Sequence, residues 1–192
     1  MGRRKTVSDE AVLDALLAAL KLSGPDRLSF AVASRAAGLA AATLVQRFGS
    51  REAMVEAVLL HGWDLLDRAT AEADREAPAT ADGAIALLIR LTPAETVAAD
   101  LTDGLLLLRE DFRNPVLRAR GLAWGRVLAQ AVGRRLATRP EDVERLGWQM
   151  ARLWQGALIW WGFAREGDPR THIEAALRGG YSSGAAPTSM PS

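Results

Sequence analysis

The 192-residue chain has no cysteine, 24 Lys and Arg against 23 Asp and Glu, and a formal net charge of +1, which excludes disulfides, thiolate metal sites and cysteine nucleophiles. With 49% hydrophobic and 24% charged residues it has the composition of a globular chain with a packed core. Its longest apolar run, Gly156–Ala164, is about half of the ~18–20 residues that cross a bilayer. The basic start is followed by an amphipathic segment containing Asp14 rather than by a signal-peptide core, so a cytoplasmic protein without a membrane partner is expected.

Helical punctuation recurs along the chain and strand alternation is absent, which predicts an all-α fold. Ser8 caps a first helix whose apolar positions Val12, Leu13, Leu16, Leu17 and Leu20 recur at three and four, and Ser23-Gly24-Pro25-Asp26 ends it. Short helices follow at about 29–37, closed by Gly38, and at about 41–48. Ser50 caps a long helix to about Glu76, with Met54, Val55, Val58, Leu59, Leu65 and Leu66 as its apolar stripe, and Pro78 stops it. Further helices are expected at 81–91, 93–111, 115–136, 140–165 and 169–178. Their starts are marked by Thr92-Pro93-Ala94-Glu95, Asn114-Pro115, Arg139-Pro140-Glu141-Asp142 and Asp168-Pro169. From Gly179 onward the small, polar, proline-bearing sequence reads as a disordered tail.

Charge is unevenly placed. Residues 1–51 hold eight basic groups (Arg3, Arg4, Lys5, Lys21, Arg27, Arg35, Arg47, Arg51) and four acidic ones (Asp9, Glu10, Asp14, Asp26), while the remainder is net acidic. A basic N-terminal quarter is a polyanion-binding feature. Within it, two short helices hinged at Ala37-Gly38-Leu39 have the length and glycine turn of a helix-turn-helix. Ala37-Gly38-Leu39, the small residues Ala40 to Ala42, Thr43-Leu44, then Phe48 and a basic Arg51 opening a long helix together resemble the DNA-binding domain of the TetR family of transcription regulators. The resemblance covers residues 8 to 65.

This resemblance implies a helix-turn-helix DNA-binding domain over 1–50, a helical ligand-sensing and dimerisation domain over 51–178 and the tail over 179–192. It makes 41–47 the recognition helix, puts Thr43 on a phosphate, Arg47 at a backbone-contacting position and Arg51 where the family has a phosphate-binding lysine. Val45 replaces the family's usual tyrosine, and Ala40 its capping Ser or Thr, a loss of about 1 kcal/mol of local stability. Base readout is left to Gln46, Arg47 and thymine-methyl contacts by Ala41 or Val45. The Arg3-Arg4-Lys5 arm follows the DNA backbone or minor groove; an ordinary solvated terminus is the alternative.

The C-terminal half carries a second unusual segment. Residues 140–155 are amphipathic, whereas 156–164 are apolar all round, which calls for burial on every side. That pattern predicts pairing with a second copy through Ala151, Leu158, Ile159 and Trp160; a central helix of a monomeric bundle is the alternative. The resemblance further implies a small apolar ligand walled by Trp63, Leu66, Leu87, Leu105, Leu108, Trp124 and Leu128, with Arg109 at the rim to meet a carboxylate.

No chemistry beyond binding is expected. His61 falls on the apolar stripe of the fourth helix and reads as a satisfied core histidine. His172 is too distant for a metal-binding spacing, and no nucleophile, phosphate-cradling or HExxH pattern is present. The sequence therefore points to a homodimeric, ligand-responsive regulator of double-stranded operator DNA, without cofactor or enzyme activity. The competing reading is a helical interaction module that keeps the fold without sequence-specific binding.

Overall fold

The computed structural model describes residues 7–92 and 107–184. Every regular element among them is helical: α1 (Asp9–Ser23), α2 (Phe30–Ala37), α3 (Ala41–Phe48), α4 (Arg51–Glu76), α5 (Ala81–Arg90), a helical stretch over 107–113, α6 (Pro115–Leu136), α7 (Val143–Ala164) and α8 (Pro169–Gly184). Single 3-10 turns at Pro25–Arg27 and Pro140–Asp142 precede α2 and α7. No helix among the described residues is long and apolar enough to cross a membrane.

The chain divides into two compact units. The first comprises the described residues up to Leu66 together with 107–121; the second comprises the rest. The boundary between these units lies inside α4, whose Met54, Val55, Val58 and Leu59 belong to the N-terminal core. There they meet Val12, Leu16, Leu17 and Leu20 of α1, Leu28, Ala33 of α2, Leu44 of α3 and Leu117. At roughly 1.5–3 kcal/mol per buried large aliphatic side chain, this cluster is the main force holding the first unit. His61 of α4 is buried as well, and its Nε2–H donates to Asp14 Oδ1 at 2.7 Å, tying α4 to α1.

In the second unit α6 and α7 approach at two glycines. A Cβ on Gly133 would overlap the Val143 carbonyl, and one on Gly147 the Ala129 carbonyl. The buried indoles are all satisfied: Trp124 Nε1 donates to Thr70 Oγ1 at 3.0 Å, Trp154 Nε1 to Thr92 Oγ1 at 2.8 Å, and Trp161 Nε1 to the Glu166 carbonyl at 3.2 Å. The Thr92 hydroxyl also donates to the Leu88 carbonyl at 2.9 Å; the helix it is expected to cap lies outside the described residues.

The C-terminus of α4 is closed without a glycine cap. The Arg135 guanidinium donates to the carbonyls of Asp74 at 2.7 Å, Ala77 at 2.9 Å and Pro78 at 2.8 Å, and to Asp74 Oδ1 at 2.6 Å. Arg134 reaches the same carboxylate at 2.7 Å. Burial pushes the Asp74 carboxyl up, and the hydrogen bonds from Arg135 and Arg134 outweigh it, leaving the group below its ordinary range.

Two sequence expectations are corrected. α8 continues to Gly184, so the tail does not begin at Gly179; Gly180 packs against Leu153 of α7 where a Cβ would collide, and Arg178 pairs with Asp82 and Glu174. Tertiary packing there outweighs the weak helix propensity of two glycines. Pro140 opens a 3-10 turn, and α7 itself starts at Val143. Residues 185–192 and most of the helix expected over 93–111 lie outside the described residues.

Candidate nucleic-acid interface

α2 begins at Ser29, whose side chain accepts from Val32 N, and ends at Gly38 with φ 64°, a left-handed conformation that favours glycine. The turn is fixed by Ser34 of α2, whose Oγ donates to the Leu39 carbonyl at 2.6 Å. Sequence reasoning did not single out Ser34, although a serine four residues before a helix-ending glycine is placed to reach such a carbonyl. Ala40 occupies the N-cap of α3 with no side-chain hydrogen bond, as its alanine side chain dictates.

One face of α3 is locked and the other is open. Leu44 is buried and Phe48 is half-buried in the first unit's core, whereas Ala41, Thr43, Val45, Gln46 and Arg47 are all exposed. Five of the residues expected to meet DNA are therefore solvent-exposed on a short helix anchored by Leu44 and Phe48. The two cations are engaged within the chain. Arg47 Nη2 lies 3.0 Å from Asp9 Oδ1 at the start of α1. Arg51 donates to the Pro25 carbonyl and lies 3.9 Å from Glu52. Arg3, Arg4 and Lys5 lie outside the described residues.

No protein-family model and no curated protein matches the chain. Solved structures do match it. A transcriptional regulator from Pseudomonas aeruginosa PAO1 aligns with a TM-score of 0.70 at 20% identity, over 91% of this chain and 88% of its own. A protein from Rhodococcus sp. named as a TetR-family transcriptional regulator aligns with a TM-score of 0.65 at 22% identity, over 88% and 95%. The TetR-like regulator LfrR from Mycobacterium smegmatis aligns with a TM-score of 0.59 at 18% identity, over 93% and 98%. The chain has the fold of the TetR-family regulators.

Within this TetR fold the expected ligand-lining residues are divided between the units. Trp63, Leu66, Leu108 and Arg109 belong to the first, Leu87, Trp124 and Leu128 to the second, and Leu105 lies outside the described residues. Trp63 Nε1 donates to Asp111 Oδ1, Arg109 pairs with Asp26 at 3.4 Å, and Leu87 and Leu128 are buried in the second unit's core. Two open grooves in the second unit, of about 400 and 280 Å³, are lined by other side chains: Arg90, Arg170 and Arg178 beside Ile85 and Ile89 in one, Arg126, Gln130, Glu144 and Trp148 in the other.

The apolar segment of α7 is split in the same way. Ala151 is buried within its own chain at 3% exposure. Leu158 is half-buried, and Ile159, Trp160 and Phe163 stand out at 42%, 69% and 77% exposure. The Trp160 and Phe163 rings lie 5.5 Å apart. A Cβ at Gly156 would meet open space, unlike one at Gly147. Small residues on α7 thus serve the intrachain contact at one end and leave a bare surface at the other.

Proposed function

We propose that the protein is a transcription regulator that binds double-stranded operator DNA through α3. The observation that carries this reading is the solvent-facing set Thr43, Gln46 and Arg47 on a helix whose opposite face is fixed by Leu44 and Phe48. In a helix-turn-helix the second helix enters the major groove, and these side chains supply the phosphate and base-edge donors that such docking uses. The regulator acts as a homodimer joined through Ile159, Trp160 and Phe163, since an apolar surface of this kind on a helix is covered by a partner of matching shape. Two α3 helices about 34 Å apart then read a palindromic operator. A small apolar ligand that binds the DNA-incompetent state more tightly releases the complex, which makes the protein a repressor. That a small molecule is bound is supported by the solved structures of LfrR with proflavine and of a protein from Saccharomonospora viridis named as a transcriptional regulator with choline.

The exposed alanines 41 and 42 and Val45 favour one rival, an interaction module that keeps the fold without reading sequence. Selection of bound duplexes from a random library, followed by anisotropy titration against competitor DNA at several salt concentrations, separates the two. Enrichment of a palindrome supports the regulator. Equal affinity for every duplex, or none at low salt, overturns it in favour of the module.

A further inference from the structure

α3 carries a single charge, Arg47, and that charge is held by Asp9 at 3.0 Å. The Arg47 side chain is 28% exposed and that of Asp9 83%, so the arginine is partly covered while the aspartate stands in solvent. Asp9 is the first residue of α1, next to the capping Ser8, where the helix macrodipole favours a negative charge. Among the described residues neither partner has a second ion pair. Thr43, Gln46 and Arg47 share one face by their spacing of three and four, so Asp9 meets the edge of the surface that faces DNA.

We infer that Asp9 is a specificity-determining residue that acts through Arg47. The inference rests on the DNA-binding reading above. Phosphate attraction is the sequence-independent part of DNA affinity, and Arg47 is the one residue of α3 that can supply it as a charge. A carboxylate at hydrogen-bond distance competes with phosphate for the same guanidinium. An exposed ion pair of this kind is weak enough to be exchanged, so a well-fitted duplex, held also by Thr43 and Gln46, draws Arg47 away from Asp9. An unmatched duplex, which offers phosphates alone, leaves it in place. Asp9 thereby lowers binding to random DNA more than binding to a matched site.

The test uses the full chain and a labelled random-sequence duplex, with wild type, Asp9→Asn, Arg47→Ala and the double variant titrated at two salt concentrations. Asp9→Asn is expected to tighten binding about three- to fivefold at about 50 mM salt, with the gain fading toward about 200 mM as counterions screen the released charge. In the Arg47→Ala background the same change is expected to have almost no effect, and Asp9→Glu to behave as wild type. A purely structural role for Asp9 in the first turn of α1 moves affinity the other way, because a frayed helix loses the surface. Asp9→Ser repeats the test with a second neutral side chain should Asn loosen α1. An equal gain in both Arg47 backgrounds, no gain, or a loss overturns the inference while leaving DNA binding intact. Absence of binding by wild type overturns the DNA-binding reading, and the inference with it.

Discussion

Trp63 Nε1 donates to Asp111 Oδ1 at 3.0 Å, and this hydrogen bond fastens α4 to the helical stretch over 107–113 with a carboxylate that is itself buried. Burial raises the Asp111 pKa; the Trp63 hydrogen bond lowers it in part, and neighbouring Glu110 raises it further. A carboxyl whose folded pKa lies above its unfolded value opposes folding while ionised. The penalty is present at neutral pH and is relieved as pH falls through the raised folded value toward the ordinary one. Asp111→Asn keeps the acceptor for Trp63 without the charge and is expected to stabilise the protein by about 1 kcal/mol at pH 7. Urea melts of the two forms should converge below the ordinary carboxylate range. A destabilised Asn variant at neutral pH contradicts this account.

Asp74 behaves in the opposite sense. Its carboxyl is held low by Arg135 and Arg134, so its contribution is present above the unfolded carboxylate value and is lost as pH falls through the lower folded one. Asp74→Asn leaves the buried Arg135 without its carboxylate and should cost about 2–3 kcal/mol at pH 7. The carbonyls of Asp74, Ala77 and Pro78 still accept from Arg135 and hold part of the network. Thermal melts from neutral to strongly acid pH should show the wild-type advantage vanish at the acid end.

Gly147 sits where a Cβ would overlap the Ala129 carbonyl. On helix propensity alone, Gly147→Ala would stabilise α7 by about 1 kcal/mol. Backbone contact reverses the sign, and a loss of about 2 kcal/mol or more is expected from forced separation of α6 and α7. Denaturant midpoints decide between the two, and Gly179→Ala in α8, with open space around its Cβ, serves as the contrasting case that should gain stability.

Trp160 is exposed in the single chain, so Trp160→Asp removes no intrachain core contact. If its surface is covered by a second copy, the variant should turn a two-subunit wild type into a monomer while its helical circular dichroism is retained, because an unpaired charge in an apolar seam costs several kcal/mol. Light scattering at micromolar concentration provides the readout. A monomeric wild type removes the homodimer from the proposed function.

Gln46 and Arg51 should respond differently in DNA titrations. Gln46→Ala is expected to flatten discrimination between duplexes with little change in salt dependence. Arg51→Ala should weaken all duplexes alike and reduce the salt slope by about one. Because Arg51 also donates to the Pro25 carbonyl, a thermal melt of the same variant distinguishes a lost phosphate contact from a loosened α1–α2 connection. Equal loss of discrimination from both substitutions contradicts the assigned roles.

By itself the sequence determined the all-helical architecture, the helix starts marked by Ser8, Ser29, Ser50, Asn114 and Asp168, and the inward face of α1 and α4, because these depend on local propensity, capping chemistry and a period of 3.6 residues. The glycine turn between α2 and α3 and the missing side-chain cap of α3 were legible as well, since Gly38 and Ala40 act within a few residues of themselves. Only the tertiary structure decided what lies far apart in the chain and close in space. No local rule joins Asp9 to Arg47, Trp63 to Asp111 or Arg135 to the end of α4. Nor could composition show that Gly147 serves the chain's own α6–α7 contact while Trp160 and Phe163 stay bare: a small residue permits close approach, but only the position of the neighbouring backbone determines which helix makes it.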